Sequence, residues 1–110
     1  MLNQLVLVGR LTKDPELNKA ENGKSVSTIT LAIPRSFKNA EGNYDTDFVP
    51  CILWDKVAGA TAEYCKKGSI VGVKGRLKSN PYDENKKHNE RLEVIAEKVT
   101  FLSSAKEKEK

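Results

Sequence analysis

A single histidine, two cysteines and one tryptophan are all that this 110-residue chain offers for imidazole, thiol or indole chemistry. Enzymatic acid–base or nucleophilic work needs a reactive group, a base and something to orient the base. The lone imidazole, His88, stands in the polar turn "NPYDENKKHN", where a surface role is the simpler reading. No His/Cys/carboxylate cluster has metal-ligand spacing, and Cys51 and Cys65 are too few and too far apart for a zinc site, which takes four close ligands. The two cysteines read as reduced, semi-buried thiols acting as small hydrophobes, and a disulfide between them has only weak support. The glycines of "GVKG" (72–75) are not the phosphate cradle that opens a helix; a strand bend is the simpler reading. The expectation is a protein that is not an enzyme and needs neither metal nor cofactor.

Long apolar runs are also missing. None approaches the roughly 18 residues that span a bilayer. The start, "MLNQLVLVGRL", has no basic n-region, breaks at Arg10 and offers no small-residue cleavage site, so it is not read as a signal peptide. The expected location is the cytoplasm. What the chain does have is a 38% apolar and 31% charged composition, enough for one soluble domain with a modest core. A formal charge of +4 leans toward an anionic partner, but the placement of the cations decides more than their sum.

Period-two alternation cuts the chain into strands separated by Gly and Asn clusters. Asn3 to Lys13 carries "LVLV" at 5–8, apolar on both faces, as expected of a strand buried by a barrel on one side and by something else on the other. "DPE" and "ENGKS" read as turns. Val26 to Pro34 sends Ile29, Leu31 and Ile33 one way, and Asn39 to Asp45 forms a hairpin loop. Asp47 to Trp54 sets Val49, Cys51 and Leu53 against Phe48, Pro50, Ile52 and Trp54 on the other face. Pro50 has no N–H to donate and belongs at a bulge or an unpaired edge position.

Lys56 to Lys67 is the one helix, with Val57, Thr61, Tyr64 and Cys65 as its core stripe, Asp55 as N-cap and Gly68 as C′ residue. Ser69 to Asn80 is a strand with Val71, Val73 and Leu77 inward. Arg91 to Leu102 is the last, with Leu92, Val94 and Ala96 on one face before a slip of phase toward Val99 and Phe101. The order β-β-β-α-β-β is that of an OB-fold: an all-β, five-stranded Greek-key barrel with a small α insertion, one helix between strands 3 and 4. Residues 1–103 form the domain and 104–110 a charged tail.

Two patterns carry chemistry. Lys74, Arg76 and Lys78 alternate along one strand, so all three leave one face over roughly 13 Å. On a single strand with no interleaved carboxylate they repel one another, and a polyanion would relieve that; a plain solvated face is the competing reading. The second pattern is aromatic. Phe48 and Trp54 point away from the barrel, Phe37 is flanked by Arg35 and Lys38, Lys56 follows Trp54, and Tyr82 tops the loop after strand four. Burial in a second cluster or a subunit contact would account for each ring singly. Together, outward rings among cations are what a single-stranded nucleic acid needs: bases stack at ~1–3 kcal/mol each while Lys and Arg track phosphates. Stacking is indifferent to base identity, so little sequence preference is expected. Tyr44 has no assignment.

The pieces "NQLVLVGRLTKDPEL", "STITLAI", "TDFVPCILWDKVAG", "AEYCKKGSIVGVKGRL" and the terminal "FL" make residues 1–103 resemble the bacterial-type single-stranded DNA-binding proteins. The resemblance implies an OB-fold that assembles, usually as a homotetramer, and wraps single-stranded DNA in replication, recombination and repair, at the nucleoid. It implies base stacking for Phe37, Phe48, Trp54 and Tyr82, and a DNA path lined by Arg10, Arg35, Lys74, Arg76 and Lys78. It implies a subunit contact through the first strand, Leu5, Val6, Leu7 and Val8. Two departures stand out. Pro50 replaces a commonly polar or basic residue, and "SAKEKEK" takes the place of a long linker with an acidic tip, so recruitment of repair and replication proteins through such a tip is not supported. That ending suits a phage- or plasmid-borne form, a competence-type paralogue or a truncated domain. Two other readings remain: an OB-fold protein-interaction or replication-restart accessory module, and a single-stranded RNA binder, since stacking and phosphate contacts do not separate RNA from DNA.

Overall fold

The alternating segments do become strands. The structure, a computed structural model, describes residues 1–80 and 92–103. Its elements are β1 (Leu5–Leu11), β2 (Asn18–Lys19), β3 (Ser25–Lys38), β4 (Tyr44–Trp54), α1 (Asp55–Tyr64), β5 (Ile70–Ser79) and β6 (Leu92–Ser103). The sheet runs β1-β5-β6-β4-β3-β2, and β1 returns to β3 through Arg10↔Ala32 and Leu11↔Leu31. Five strands thereby close on themselves, which removes most of the free sheet edge. β4 and β6 are parallel and every other pair is antiparallel, giving the expected OB barrel with its helix between the third and fourth barrel strands.

The inward phase of each strand supplies the core: Leu11, Ile29, Leu31, Cys51, Leu53, Val71, Val73, Val94 and Ala96 are all at least nine-tenths buried. Each large aliphatic side chain moved from water contributes about 1.5–3 kcal/mol, so this set dominates folding. α1 lies against β3, β4 and β6 and inserts Ala58 and Thr61 into the core. Both cysteines are buried and free, and burial pushes the Cys51 thiol up to about 11.

Gly75 marks the bend expected in "GVKG". A Cβ there would come within 2.1 Å of the Ile95 carbonyl oxygen, so no side chain fits without moving the backbone. Opposite it, the register passes from Lys74↔Lys98 to Gly75↔Ala96, leaving Glu97 as an extra residue in β6. That bulge is the expected slip of phase: Val94 and Ala96 point inward, then Val99 takes up the inward phase.

Several expectations need correction. The helix ends at Tyr64, not Lys67, and Cys65 is its C-cap. Gly68 (φ 90) instead occupies a turn closed by the Ser69 N–H on the Lys66 carbonyl, and its own N–H donates to the Leu11 carbonyl at 2.8 Å. Asp55 does not cap α1; Trp54 holds that position without a side-chain bond, and Asp55 is the first helical residue, at φ 51. Tyr64 leaves the core stripe and is 61% exposed, its ring 5.8 Å from that of Phe101 at the barrel end. Leu77 and Leu92 are exposed because they lie where β5 and β6 run past the barrel body; there Asn3 trades two hydrogen bonds with the Leu77 backbone. The segment around "ENGKS", read as a turn only, also forms the short hairpin β2–β3 around Gly23.

Candidate nucleic-acid interface

Alternation along β4 decides what faces outward. Val49, Cys51 and Leu53 turn to the core, so Phe48, Pro50, Ile52 and Trp54 must face out. Phe48 is 63% exposed and Trp54 half-buried, separated by about 20 Å of strand at ~3.3 Å per residue. The register extends this row across the barrel. Thr28 on β3 pairs with Ile52, Ile52 with Ile95 on β6, and Ile95 with Arg76 on β5. At the other end Phe48 pairs with Ala32, and Ala32 with Arg10 on β1. Phe48 and Arg10 thus share one outward row, two strands apart or about 10 Å, while Arg76 ends a row that runs through Ile52, the residue two before Trp54 on the same face. Pro50 now has a structural place: the β4–β6 pairing covers only Cys51 and Ile52, and Pro50 stands one residue before it. The strands part there and leave a groove of about 400 Å³ lined by Thr28, Pro50, Ile52, Leu92 and Glu93.

Lys74, Arg76 and Lys78 are exposed and leave β5 on one face, as their spacing requires. They are not free of carboxylates, however. Arg76 Nε lies 3.8 Å from Glu97, and Lys78 pairs across the strands with Glu93, which accepts a hydrogen bond from Asn80. The neighbouring strand supplies the interleaved acids that β5 alone lacks. Lys74 differs: it faces Lys98 across the ladder, and neither has an ion pair among the described residues. Lys56 is exposed in the first turn of α1. Arg10 is half-buried and donates from Nη1 to the Gly68 carbonyl at 3.0 Å, which ties β1 to the turn before β5.

The β3–β4 hairpin extends beyond the barrel body. Phe37 is 66% exposed on it, and Lys38 sits 5.9 Å from the centre of the Tyr44 ring, giving Tyr44 a partner that sequence reading did not find. Arg35 does not stand free: Nε and Nη2 donate to Asp47 at 3.0–3.3 Å, and Nη1 lies 3.8 Å from Asp45. The hydrogen bond to Asp47, and then its charge, raise the guanidinium pKa; the same bond holds the Asp47 carboxyl below its usual value. The signal for this pair was available, since Arg35, Asp45 and Asp47 share one phase once the hairpin register is set. Tyr82 and His88 lie outside the described residues.

The first strand divides as its two apolar faces require. Leu5 and Leu7 pack against the core, while Val6 and Val8 are 71% and 51% exposed. Any contact through the outer face of β1 therefore falls to Val6 and Val8. No group of three or more potential metal ligands occurs among the described residues, and no helix there is long and apolar enough to cross a membrane.

A closed OB barrel with an outward face of rings and cations belongs to the class of small oligomer-binding barrels. Within that class the chain belongs to the single-strand binding protein family, whose model matches residues 2–102. It is 50% identical over 103 residues to single-stranded DNA-binding protein B of Bacillus subtilis, covering 93% of this chain and 91% of that one. It is 48% identical over 103 residues to the single-stranded DNA-binding protein of Halalkalibacterium halodurans and to single-stranded DNA-binding protein A of B. subtilis, but spans only 61% and 60% of those longer proteins. A crystal structure of a deletion mutant of the single-stranded DNA binding protein from Thermus aquaticus superposes with a TM-score of 0.77 over 93% of this chain and 51% of that one. At 24% identity it bears on the fold alone.

Proposed function

We propose that this chain binds single-stranded DNA with little regard to sequence, coating exposed strands in replication, recombination and repair. The observation that carries the reading is Phe48. A phenyl ring left 63% exposed on a strand that buries its neighbours forgoes the stabilisation burial would bring, and a stacked base recovers it. Phe37, Trp54 and Tyr82 complete the stacking set; Arg10, Lys38, Lys56, Lys74, Arg76 and Lys78 are the cations along the path. The chemistry is binding without catalysis.

Residues 1–103 act as the binding domain, with 104–110 as a charged tail. Val6 and Val8 support assembly, with a homotetramer as the expected form, and the cytoplasmic nucleoid is the place of action. The test is competition between labelled oligo(dT), a mixed-sequence single strand and a duplex of equal length. The two single strands should compete within a few-fold of each other and the duplex far less. Competition by the duplex on equal terms would overturn the reading. Failure to bind oligo(dT) at low salt would point to a protein-interaction module instead, and equal competition by oligo(U) to a binder that accepts RNA.

A further inference from the structure

The β3–β4 ladder breaks at one place. Pairing runs to Pro34↔Thr46 and resumes at Lys38↔Tyr44, so Arg35, Ser36 and Phe37 have no partner in the ladder. The register shifts across this stretch of β3, and side chains bridge it. Arg35 grips both oxygens of Asp47 and lies beside Asp45. Asp45 accepts from Asn39 Nδ2 at 3.1 Å, and Asn39 Oδ1 accepts the N–H groups of Glu41 and Asn43 at 2.9 and 3.0 Å. One polar chain thus runs from the strand body to the loop tip across the broken stretch.

Two facts separate Arg35 from the cations of the DNA path. Asp47 and Phe48 are adjacent on an extended strand and point to opposite faces, so Arg35 is engaged on the side away from Phe48. A guanidinium set between two carboxylates is also a net negative group, with no surplus charge to offer a phosphate. What it can do is hold the backbone that presents Phe37. We propose that Arg35, clasped by Asp47 and Asp45, is a positioning residue: it orders the unpaired stretch so that Phe37 meets a base, and it does not contact phosphate. The proposal deepens the single-stranded DNA reading above and rests on it.

The test combines Asp47→Asn, Phe37→Ala, their double variant and the charge swap Arg35→Asp/Asp47→Arg, each titrated with oligo(dT) over a range of salt, with hydrogen exchange of the Arg35–Phe37 amides as a second readout. The clasp predicts that Asp47→Asn weakens binding several-fold with an unchanged salt slope and speeds exchange of those amides. It predicts no further loss when Asp47→Asn is added to Phe37→Ala, and recovery of affinity and protection in the swap. If Arg35 were instead a phosphate ligand held in check, Asp47→Asn would bind more tightly and steepen the slope by about 0.7 for the added phosphate contact, which would overturn the proposal. Unchanged exchange in Asp47→Asn would sink the clasp, and unchanged affinity in Phe37→Ala would sink the presentation of Phe37. Loss of oligo(dT) binding by the unaltered protein would instead remove the reading on which the proposal stands.

Discussion

Phe48 and Trp54 divide the work of β4 differently. Phe48 is exposed enough that Phe48→Ala should leave thermal unfolding nearly unchanged while costing ~1–3 kcal/mol in oligo(dT) affinity. Trp54 is half-buried beside Val26 and should lose some stability as well as affinity when truncated. Denaturation and titration of both variants separate the two roles, and a Phe48→Ala protein that unfolds early but binds normally would contradict the assignment. Cys51 supplies a pH test. Burial favours its neutral thiol and raises its pKa from 9.0 to about 11. The unfolded chain then releases the proton first as pH rises, so the stability this group contributes is full below pH 9 and is lost toward pH 11. Unfolding midpoints measured from pH 8.5 to 10.5 should fall more steeply for the unaltered protein than for Cys51→Ala.

At the scale of elements, much was legible and the misses share a cause. Alternation locates the barrel strands, and the inward set Ile29, Leu31, Cys51, Leu53, Val71 and Val73 follows from it directly. Alternation carries no information about where a strand outruns the barrel, which is why the phase of Leu77 and Leu92 points inward while both are exposed. A helical stripe likewise does not tell which of its rings the barrel end can cover, and Tyr64 stays outside beside Phe101. Cross-strand neighbours are hidden as well: the Lys74, Arg76, Lys78 row is visible on β5, but Glu93 and Glu97 come from β6 and appear only with the register. For Pro50 the missing N–H predicts a bulge or an unpaired edge position, but which strand fails to pair there follows only from the short parallel pairing of β4 with β6. Gly75 tests the account at this scale. Gly75→Ala drives a Cβ into the Ile95 carbonyl and should destabilise by about 1–3 kcal/mol in denaturant unfolding. A neutral effect would mean that the bulge at Glu97 absorbs the strain.

For the whole molecule, two surfaces remain to be joined: the outward face of β4 and the apolar strip of β1. Val6 and Val8 expose branched aliphatic side chains on a strand whose other face is committed to the core. Val6→Asp should therefore reduce the mass found by light scattering without unfolding the monomer, and an unchanged mass would remove β1 from the assembly. The net charge of +4 is modest, and Arg35, Arg76 and Lys78 are answered locally by Asp45, Asp47, Glu97 and Glu93, so stacking has to carry much of the affinity. Trp54, the only tryptophan, reports on that directly. The decisive measurement is its emission during titration with oligo(dT). Strong, saturable quenching is predicted, with an affinity that falls as salt rises. Saturated binding that left the emission unchanged would contradict the account.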